Sequence, residues 1–507
     1  MVAKTYTVAF DGVTARQVEV QCTLTPGLPS FSVVGLPDKA VSEAKERVRA
    51  TLECLTIALP SKKITINLSP ADLPKEGSHF DLPIAIALLA AIEAIPPDQA
   101  EGLVSLGELS LDGRLVEVAG ALPAAMCAAA EERDLLCPAA SGPEAAWVGD
   151  CSVYAAKDMS AVLRHFAGQN PMEVAEPGAV NNTEHQGCMR DIRGQERAKR
   201  ALEIAAAGGH HLFLMGTPGS GKSMLAARLP GILPPLDASE ALETSMVHSV
   251  AGLLKNGGIT RDRPFRTPHH TASVAAVAGG GKGAKPGEIS LAHNGVLFLD
   301  ELPEYPRNVL ETLRQPIETG RIMVARANAH VEYPCRFMLI AAANPCRCGY
   351  LTDPAHACAR VPKCGQDYLA KVSGPLMDRF DMRLEVPPVS FQDLDLPPSG
   401  PTSAEIAERV VAARAIQSAR YSQNPEFRTN SDCDGSKILS VAAPDSEGRA
   451  LLSRVADRMG LTARGYHRVL RVARTIADLE QSDKVARHHI AEAISYRLTM
   501  SASGHLG

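Results

Sequence analysis

Apolar and polar residues alternate with a period of two in Thr5-Tyr-Thr-Val-Ala-Phe10, Gln17-Val-Glu-Val-Gln21 and Lys63-Ile-Thr-Ile-Asn-Leu68. That period turns one face of a strand to a core and the other to water, so these stretches predict strands. Asp81-Leu-Pro-Ile-Ala-Ile-Ala-Leu-Leu-Ala-Ala91 is apolar on every side and predicts a buried helix. His211-Leu-Phe-Leu-Met215, Val296-Leu-Phe-Leu299 and Leu339-Ile-Ala-Ala-Ala343 are short, continuously apolar runs, the pattern of strands covered on both faces of a parallel sheet. From 402 to 507 the spacing is helical, with apolar residues three and four apart in Gly465–Leu479. Pro, Gly and Asn crowd residues 168–188, and prolines recur over 387–401, so both segments predict linkers. The chain is expected to hold an α+β region at 1–167, an α/β core at 189–386 and a helical region at 402–507.

Composition narrows the class. The 507 residues are 45% hydrophobic and 21% charged, ordinary for a soluble globular protein. No apolar run reaches the roughly 18 residues that span a bilayer. The N-terminus, Met-Val-Ala-Lys-Thr-Tyr, lacks the apolar core of a signal peptide, so a cytoplasmic protein without a membrane partner is expected. Charge is uneven. Over residues 1–180, 13 Lys and Arg stand against 23 Asp and Glu, a balance of −10, whereas the remainder carries +5. An acidic first region joined to a mildly basic remainder suits nucleic-acid contact by the latter.

Residues 216–223 read Gly-Thr-Pro-Gly-Ser-Gly-Lys-Ser between a predicted strand and a helix. Gly216, Gly219 and Gly221 permit turns that aim amide N–H groups inward, and Thr217, Pro218 and Ser220 complete the loop. Lys222 is placed to reach the β- and γ-phosphates of a nucleoside triphosphate, and the Ser223 hydroxyl to join a Mg²⁺ shell. The run Val296–Leu299 ends in Asp300-Glu301. At that strand end Asp300 is expected to hold Mg²⁺ and Glu301 to polarise the attacking water. Asn344, at the end of Leu339–Ala343, is expected to sense the γ-phosphate or orient that water. Asp191-Ile-Arg-Gly-Gln195 precedes the first core helix, with Ile192 expected against adenine, and Ser373–Asp381 is expected to put Arg379 on an exposed turn.

This set resembles the AAA+ ATPases of the helix-2-insert group, which includes magnesium chelatase and the replicative MCM helicases. Longer strings are closer still: Arg263-Pro-Phe-Arg-Thr-Pro-His-His-Thr-Ala-Ser273, Pro286-Gly-Glu-Ile-Ser-Leu-Ala-His-Asn294, Leu313-Arg-Gln-Pro-Ile-Glu318 and Asn344-Pro-Cys346 look like signatures of the ComM/YifB family. So do Gly27–Ala40 and Asn67–Pro83, and the resemblance spans nearly the whole chain. It implies an α/β AAA+ P-loop core, an N-terminal α+β domain like that of Lon protease, and a C-terminal helical lid. It further implies a homo-hexameric motor using ATP and Mg²⁺ for DNA branch migration in natural transformation. By the same resemblance Arg379 is the arginine finger toward a neighbour's γ-phosphate, and Arg464 is the sensor-2 arginine, with Arg468 as fallback.

Ala278-Gly-Gly-Gly-Lys-Gly-Ala-Lys-Pro-Gly287 is read as a flexible basic loop with no core residue, and Arg321–His330 as a hairpin with Arg326 near its tip. The resemblance places them at the helix-2 insert and the presensor-1 hairpin. Lys282, Lys285 and Arg326 are therefore the candidate contacts to DNA phosphates, made without base readout. His269 and His270, adjacent in sequence, are read as structural or loop residues rather than a metal pair. Cys346, Cys348, Cys358 and Cys364 put four thiols within 19 residues, donors suited to structural Zn²⁺; free thiols are the other reading. The remaining eight cysteines are expected to stay reduced.

Leu106–Pro123 resembles the Lon protease fold. A Ser–Lys dyad is missing: aligned positions hold His79 and Ala124, and Ser78 has no paired lysine, so an inactive domain is expected. That argues against an ATP-dependent protease. A chelatase-like remodelling ATPase, acting on a protein or a metal-insertion partner, remains the alternative to a DNA motor.

Overall fold

The computed structural model describes residues 2–180, 187–281, 284–325, 330–351, 360–389, 397–424 and 426–497. The first part of the chain builds a mixed seven-stranded sheet. Its order is Ser30–Val34, Lys63–Ser69, Thr14–Thr25, Val2–Asp11, Leu103–Ser105, Asp134–Pro138 and Val153–Ala156. Alternation in sequence becomes alternation in burial: Val18, Val20 and Cys22 are buried, while Gln17, Glu19 and Gln21, each just before one of them, are only half-buried. The helix Asp81–Ala91 is buried through its first ten residues. Its one charge, Asp81, accepts from Arg47 Nη2 (2.8 Å) and from the Leu109 N–H (3.1 Å), so the carboxylate is not left unpaired in the core. Part of the stretch read as a linker stays on this sheet, since the Ala175 N–H donates to Val153 O (2.8 Å) and Val174 bridges to Tyr154.

The second sheet has five strands, all parallel, in the order Phe265–Arg266, Val296–Leu299, Met338–Ala343, Leu212–Met215, Met382–Glu385. Leu212–Met215 thus lies between strands reached by later crossovers to opposite sides, and a crevice opens at its C-terminal end. Both faces are covered. Leu212, Leu214, Phe298, Ile340 and Ala342 face the helix Glu196–Gly208 and the C-terminal helices, while Phe213, Leu297, Leu299, Leu339 and Ala341 face a second core with Ile322, Val324, Tyr333 and Phe380. Two-sided burial is why these strands read as unbroken apolar runs.

The C-terminal helices Ser403–Tyr421, Ala463–Leu479 and Arg487–Ser495 pack on the first of these faces through Val410, Val472, Ala473 and Ile476. Thr402 caps the first of them in a reciprocal box with Glu405. Buried Asp478 binds Arg420, Arg474 and Asn430. Arg428 reaches from this region to Glu243 (3.3 Å) on the helix Ala238–Val250. Glu243 also takes a bond from His293 Nε2 (3.3 Å). With Asn294 and Arg428, that bond holds its carboxyl down at about 2, against an ordinary 4.5. A carboxylate lowered on folding adds stability above its unfolded value and loses it as pH falls toward the folded one. Glu243→Gln is therefore expected to weaken the protein at neutral pH. The gap to wild type should close between about pH 4.5 and 2, read as the difference in urea midpoints.

The two sheets are joined by polar contacts: the Gly120 N–H donates to Ser249 O (3.1 Å), Trp147 Nε1 to Gly257 O (3.0 Å), and buried Glu144 accepts from Leu122 N–H (3.0 Å) and Ser249 Oγ. Among the described residues no helix is long and apolar enough to cross a membrane.

Candidate nucleotide site and its counterpart across the sheet

The loop 216–221 leaves the C-terminal end of Leu212–Met215. Gly219 and Gly221 have φ of +77° and +88°, which residues with a Cβ resist, and a Cβ on Gly216 would lie 2.3 Å from Val386 O. Lys222 folds back inside the loop. Its Nζ donates to Gly216 O (2.8 Å), Thr217 O (2.9 Å) and Asn344 Oδ1 (3.2 Å) and lies 3.4 Å from Ser220 Oγ. Burial pulls its ammonium below the ordinary value, while Asp300 and Glu301 hold the charge on. Ser223 Oγ donates to Asp300 Oδ2 at 2.6 Å, so a hydroxyl and a carboxylate converge, the hard oxygen pair that fits Mg²⁺.

Glu301 follows in a left-handed conformation (φ +53°), its N–H on Asp300 Oδ1 (2.9 Å). Its carboxylate meets His270 Nδ1 at 3.4 Å. The histidine read as structural or part of a loop thus touches the candidate base. Ile192 is buried in the core rather than on an open surface. The nearby cavity of about 410 Å³ is lined instead by Gly194, Gln195, Glu385 and Pro387, and Gln195 ties it to the loop through Ser220 O (3.4 Å).

At the opposite edge, where the strands begin, lies a second cavity of about 580 Å³. His211, Gly295, Phe337 and Asp381, the residues just ahead of four strands, form its floor, and Arg379, Arg464 and Arg468 line it. Arg379 is not on an exposed turn. It is 8% exposed, with Nε on Arg314 O (3.1 Å), Nη1 on Pro375 O (2.7 Å) and Nη2 against Glu318 Oε1 (2.6 Å). A helix-end arginine flanked by free carbonyls and an acid folds onto them rather than into water. Arg464 is exposed, while Arg468 is occupied by Asp378 (3.2 Å) and Asp381 (3.3 Å). Both lie across the sheet from Lys222 of the same chain.

The stretch 278–287 is not free of core residues. Gly279–Gly280 pairs antiparallel with Lys285–Pro286, and Ala284 is buried while its carbonyl takes a bond from Tyr333 Oη (2.8 Å). A small apolar residue opposite a core tyrosine packs there whatever the loop's composition. Lys285 is exposed beside it. Arg321–Ala325 pairs antiparallel with His330–Pro334. Lys282 and Arg326 lie outside the described residues, as does Cys358.

Cys346 is buried, with Sγ 3.1 Å from Cys348 Sγ, and Cys364 is half-buried in the first turn of the helix Lys363–Leu369. Gly349 between them abuts the phosphate loop: a Cβ there would lie 2.5 Å from Pro218 Cδ. In the N-terminal region Ser78 Oγ bonds Glu108, Lys75 Nζ goes to Pro70 O, and buried His79 bonds Val8 O (2.9 Å), so among the described residues the bonded partner of that serine is an acid and Lys75 is engaged elsewhere. Glu480, His488 and His489 also converge. His489 Nδ1 accepts from the Ala486 N–H (2.8 Å), which leaves the proton on Nε2, directed at Glu480, and no lone pair for an ion.

Residues 188–394 match the family described as "Magnesium chelatase, subunit ChlI", 18–141 "Subunit ChlI of Mg-chelatase", and 400–497 "Magnesium chelatase, subunit ChlI C-terminal". The "Competence protein ComM" of Haemophilus influenzae is 42% identical over 498 residues, 97% of this chain and 96% of that one. The chain belongs to the ComM/YifB family of magnesium-chelatase-like proteins. The "Uncharacterized protein YifB" of Escherichia coli is 43% identical over 494 residues, with 97% and 96% covered. The "Magnesium-chelatase 38 kDa subunit" of Rhodobacter capsulatus is 25% identical over 335 residues, 61% of this chain and 86% of that subunit. Membership implies an AAA+ fold and the use of ATP and Mg²⁺.

Sequence reasoning missed His270, Glu318 and Gln195 as residues of these sites. They lie in Asp191–Gln195, Arg263–Ser273 and Leu313–Glu318, but nothing in their spacing says what each would touch.

Proposed function

We propose that this chain is a cytoplasmic, homo-hexameric motor that hydrolyses ATP with Mg²⁺ at subunit boundaries. The energy moves branched or single-stranded DNA and promotes branch migration in recombination during natural transformation. One observation carries the reading. The phosphate loop, Asp300, Glu301 and Asn344 gather at one edge of the sheet, while Arg379 and Arg464 line a cavity at the other. A chain holding two halves of a site on opposite edges completes it only with a neighbour. In that arrangement Lys222 and the loop amides bind phosphates, Ser223 and Asp300 hold Mg²⁺, Glu301 orients water, and a neighbour's arginine offsets charge on the γ-phosphate. Exposed Lys285, with Lys282 and Arg326, supplies sequence-independent phosphate contacts. The name of the Haemophilus relative supports the role in competence.

The test is migration of a synthetic three- or four-way junction, with ATP hydrolysis measured with and without DNA, wild type beside Lys222→Ala. Junctions left unmoved, and hydrolysis indifferent to DNA, would refute the DNA reading. They would favour a remodelling ATPase, to which the Rhodobacter similarity points. The Lon-like domain serves ring assembly or DNA guidance on this reading, without peptidase activity.

The reading also keeps Cys346, Cys348, Cys358 and Cys364 as a structural Zn²⁺ site. Because Gly349 rests on Pro218, stripping zinc should loosen the phosphate loop. About one zinc per chain is expected by metal analysis, with ATP affinity falling several-fold after chelation. Full affinity in metal-free protein would rule the site out.

A further inference from the structure

We propose that Arg336 delivers a free positive charge to the nucleotide of a neighbouring subunit, beside Arg464, while Arg379 is held in reserve by Glu318. The proposal rests on the reading that the cavity at the strand starts faces a neighbour's phosphates.

A triphosphate with one Mg²⁺ remains strongly anionic, so cations not already neutralised are what such a cavity must offer. Most of its arginines are spent on their own chain. Arg379 is paired with Glu318 at 2.6 Å and bonded to two carbonyls, Arg468 is paired with Asp378 and Asp381, and Arg471 with Asp434 (3.1 Å). Arg336 and Arg464 line the same cavity, are exposed, and have no side-chain hydrogen bond or ion pair among the described residues.

Arg336 is also built to present its head. It stands two residues before the strand Met338–Ala343. Its backbone N–H donates to His293 Nδ1 (3.0 Å) and its carbonyl accepts from the Asn294 N–H (2.6 Å). The side-chain stem runs past Gly320 (φ +66°), where a Cβ would lie 2.9 Å from Arg336 Cγ. A glycine beside a pinned backbone leaves an arginine whose root is fixed and whose guanidinium is free. That planar fork matches two phosphate oxygens at once. Arg379 must give up Glu318 before it can do the same, whereas Arg336 gives up only water.

The test uses full-length chains. Arg336→Ala is expected to lower kcat for ATP by at least about tenfold, with little change in the binding of a fluorescent ATP analogue to the phosphate loop. Arg336→Lys, which keeps charge without the fork, should fall between it and wild type. An exposed, unpaired side chain contributes little to folding, so melting temperatures should match. The decisive measurement is co-expression with Lys222→Ala. In a mixed ring, a boundary formed by the intact loop of an Arg336→Ala chain and the intact arginine of a Lys222→Ala chain should recover hydrolysis that neither parent shows.

Arg464→Ala co-expressed with Lys222→Ala is the control. If the control recovers and Arg336→Ala turns over like wild type, Arg336 has no such role and the shared site stands. If the control recovers and the Arg336→Ala mixture does not, Arg336 acts within its own chain and the proposal is overturned. If the control also fails, the shared-site reading itself falls.

Discussion

Lys222→Ala is expected to reduce ATP hydrolysis about 10³-fold. Among the described residues the ammonium is the side-chain cation held inside the loop. It is fixed there by Gly216 O, Thr217 O and Asn344 Oδ1, which place the charge at the centre of the loop. Burial already lowers its proton affinity, which marks a charge held for interaction rather than for solvation. Loss of function should come without loss of fold, because the variant removes a buried charge instead of stranding one. Phosphate release and a thermal melt, measured together, check both halves. A variant within tenfold of wild type would mean that Lys222 does not face the triphosphate. Lys222→Arg should fail as well, since a loop closed around an ammonium has no room for a guanidinium.

Asp478→Ala should have the largest effect on stability, about 3–5 kcal/mol. Asp478 is 1% exposed and serves three partners: Arg420 (Nη1, 2.8 Å), Arg474 (Nε, 3.0 Å) and Asn430 (Nδ2, 2.9 Å). Arg474 is itself 2% exposed. Without the carboxylate, two guanidinium groups lose the charge that offsets their burial, and such an orphaned charge costs more than the pair contributes. The same cluster holds the lid to the core: Asn430 Nδ2 also donates to Thr475 Oγ1 (2.9 Å), which bonds His210 (2.8 Å) just ahead of the strand Leu212–Met215. The lid should therefore loosen first, seen as early proteolysis after residue 402 and a lowered urea midpoint. An unfolding curve unchanged from wild type would show that the network is dispensable.

Several elements were legible because their cause is local. The phosphate loop declares itself through glycines, lysine and serine in fixed order. The helix Asp81–Ala91 and the three apolar strands declare themselves through composition, since burial on all sides leaves no polar face to break the run. The hairpin read at Arg321–His330 is longer in the structure, its paired strands being Arg321–Ala325 and His330–Pro334.

Errors arose where a side chain's fate depended on residues far away in sequence. Arg379 looked like an exposed charge, but Glu318, Arg314 O and Pro375 O were waiting for it. The glycine-rich run near Lys285 looked coreless, yet Tyr333 draws Ala284 inward. His270 looked structural until the strand bearing Asp300 and Glu301 was laid beside the strand that precedes it.

Read alone, the order of residues was enough to declare a triphosphate-binding loop, an acidic strand end and a helical C-terminal region, because each depends on spacing within a few turns of one element. It was not enough to say that the arginines gather behind the sheet and the phosphate loop in front, or which arginines are already neutralised. Those facts depend on strand order and on charges that meet across about 60 residues and more, such as Arg379 with Glu318. Electrostatic pairing acts through space, and only the folded chain decides which charges are neighbours.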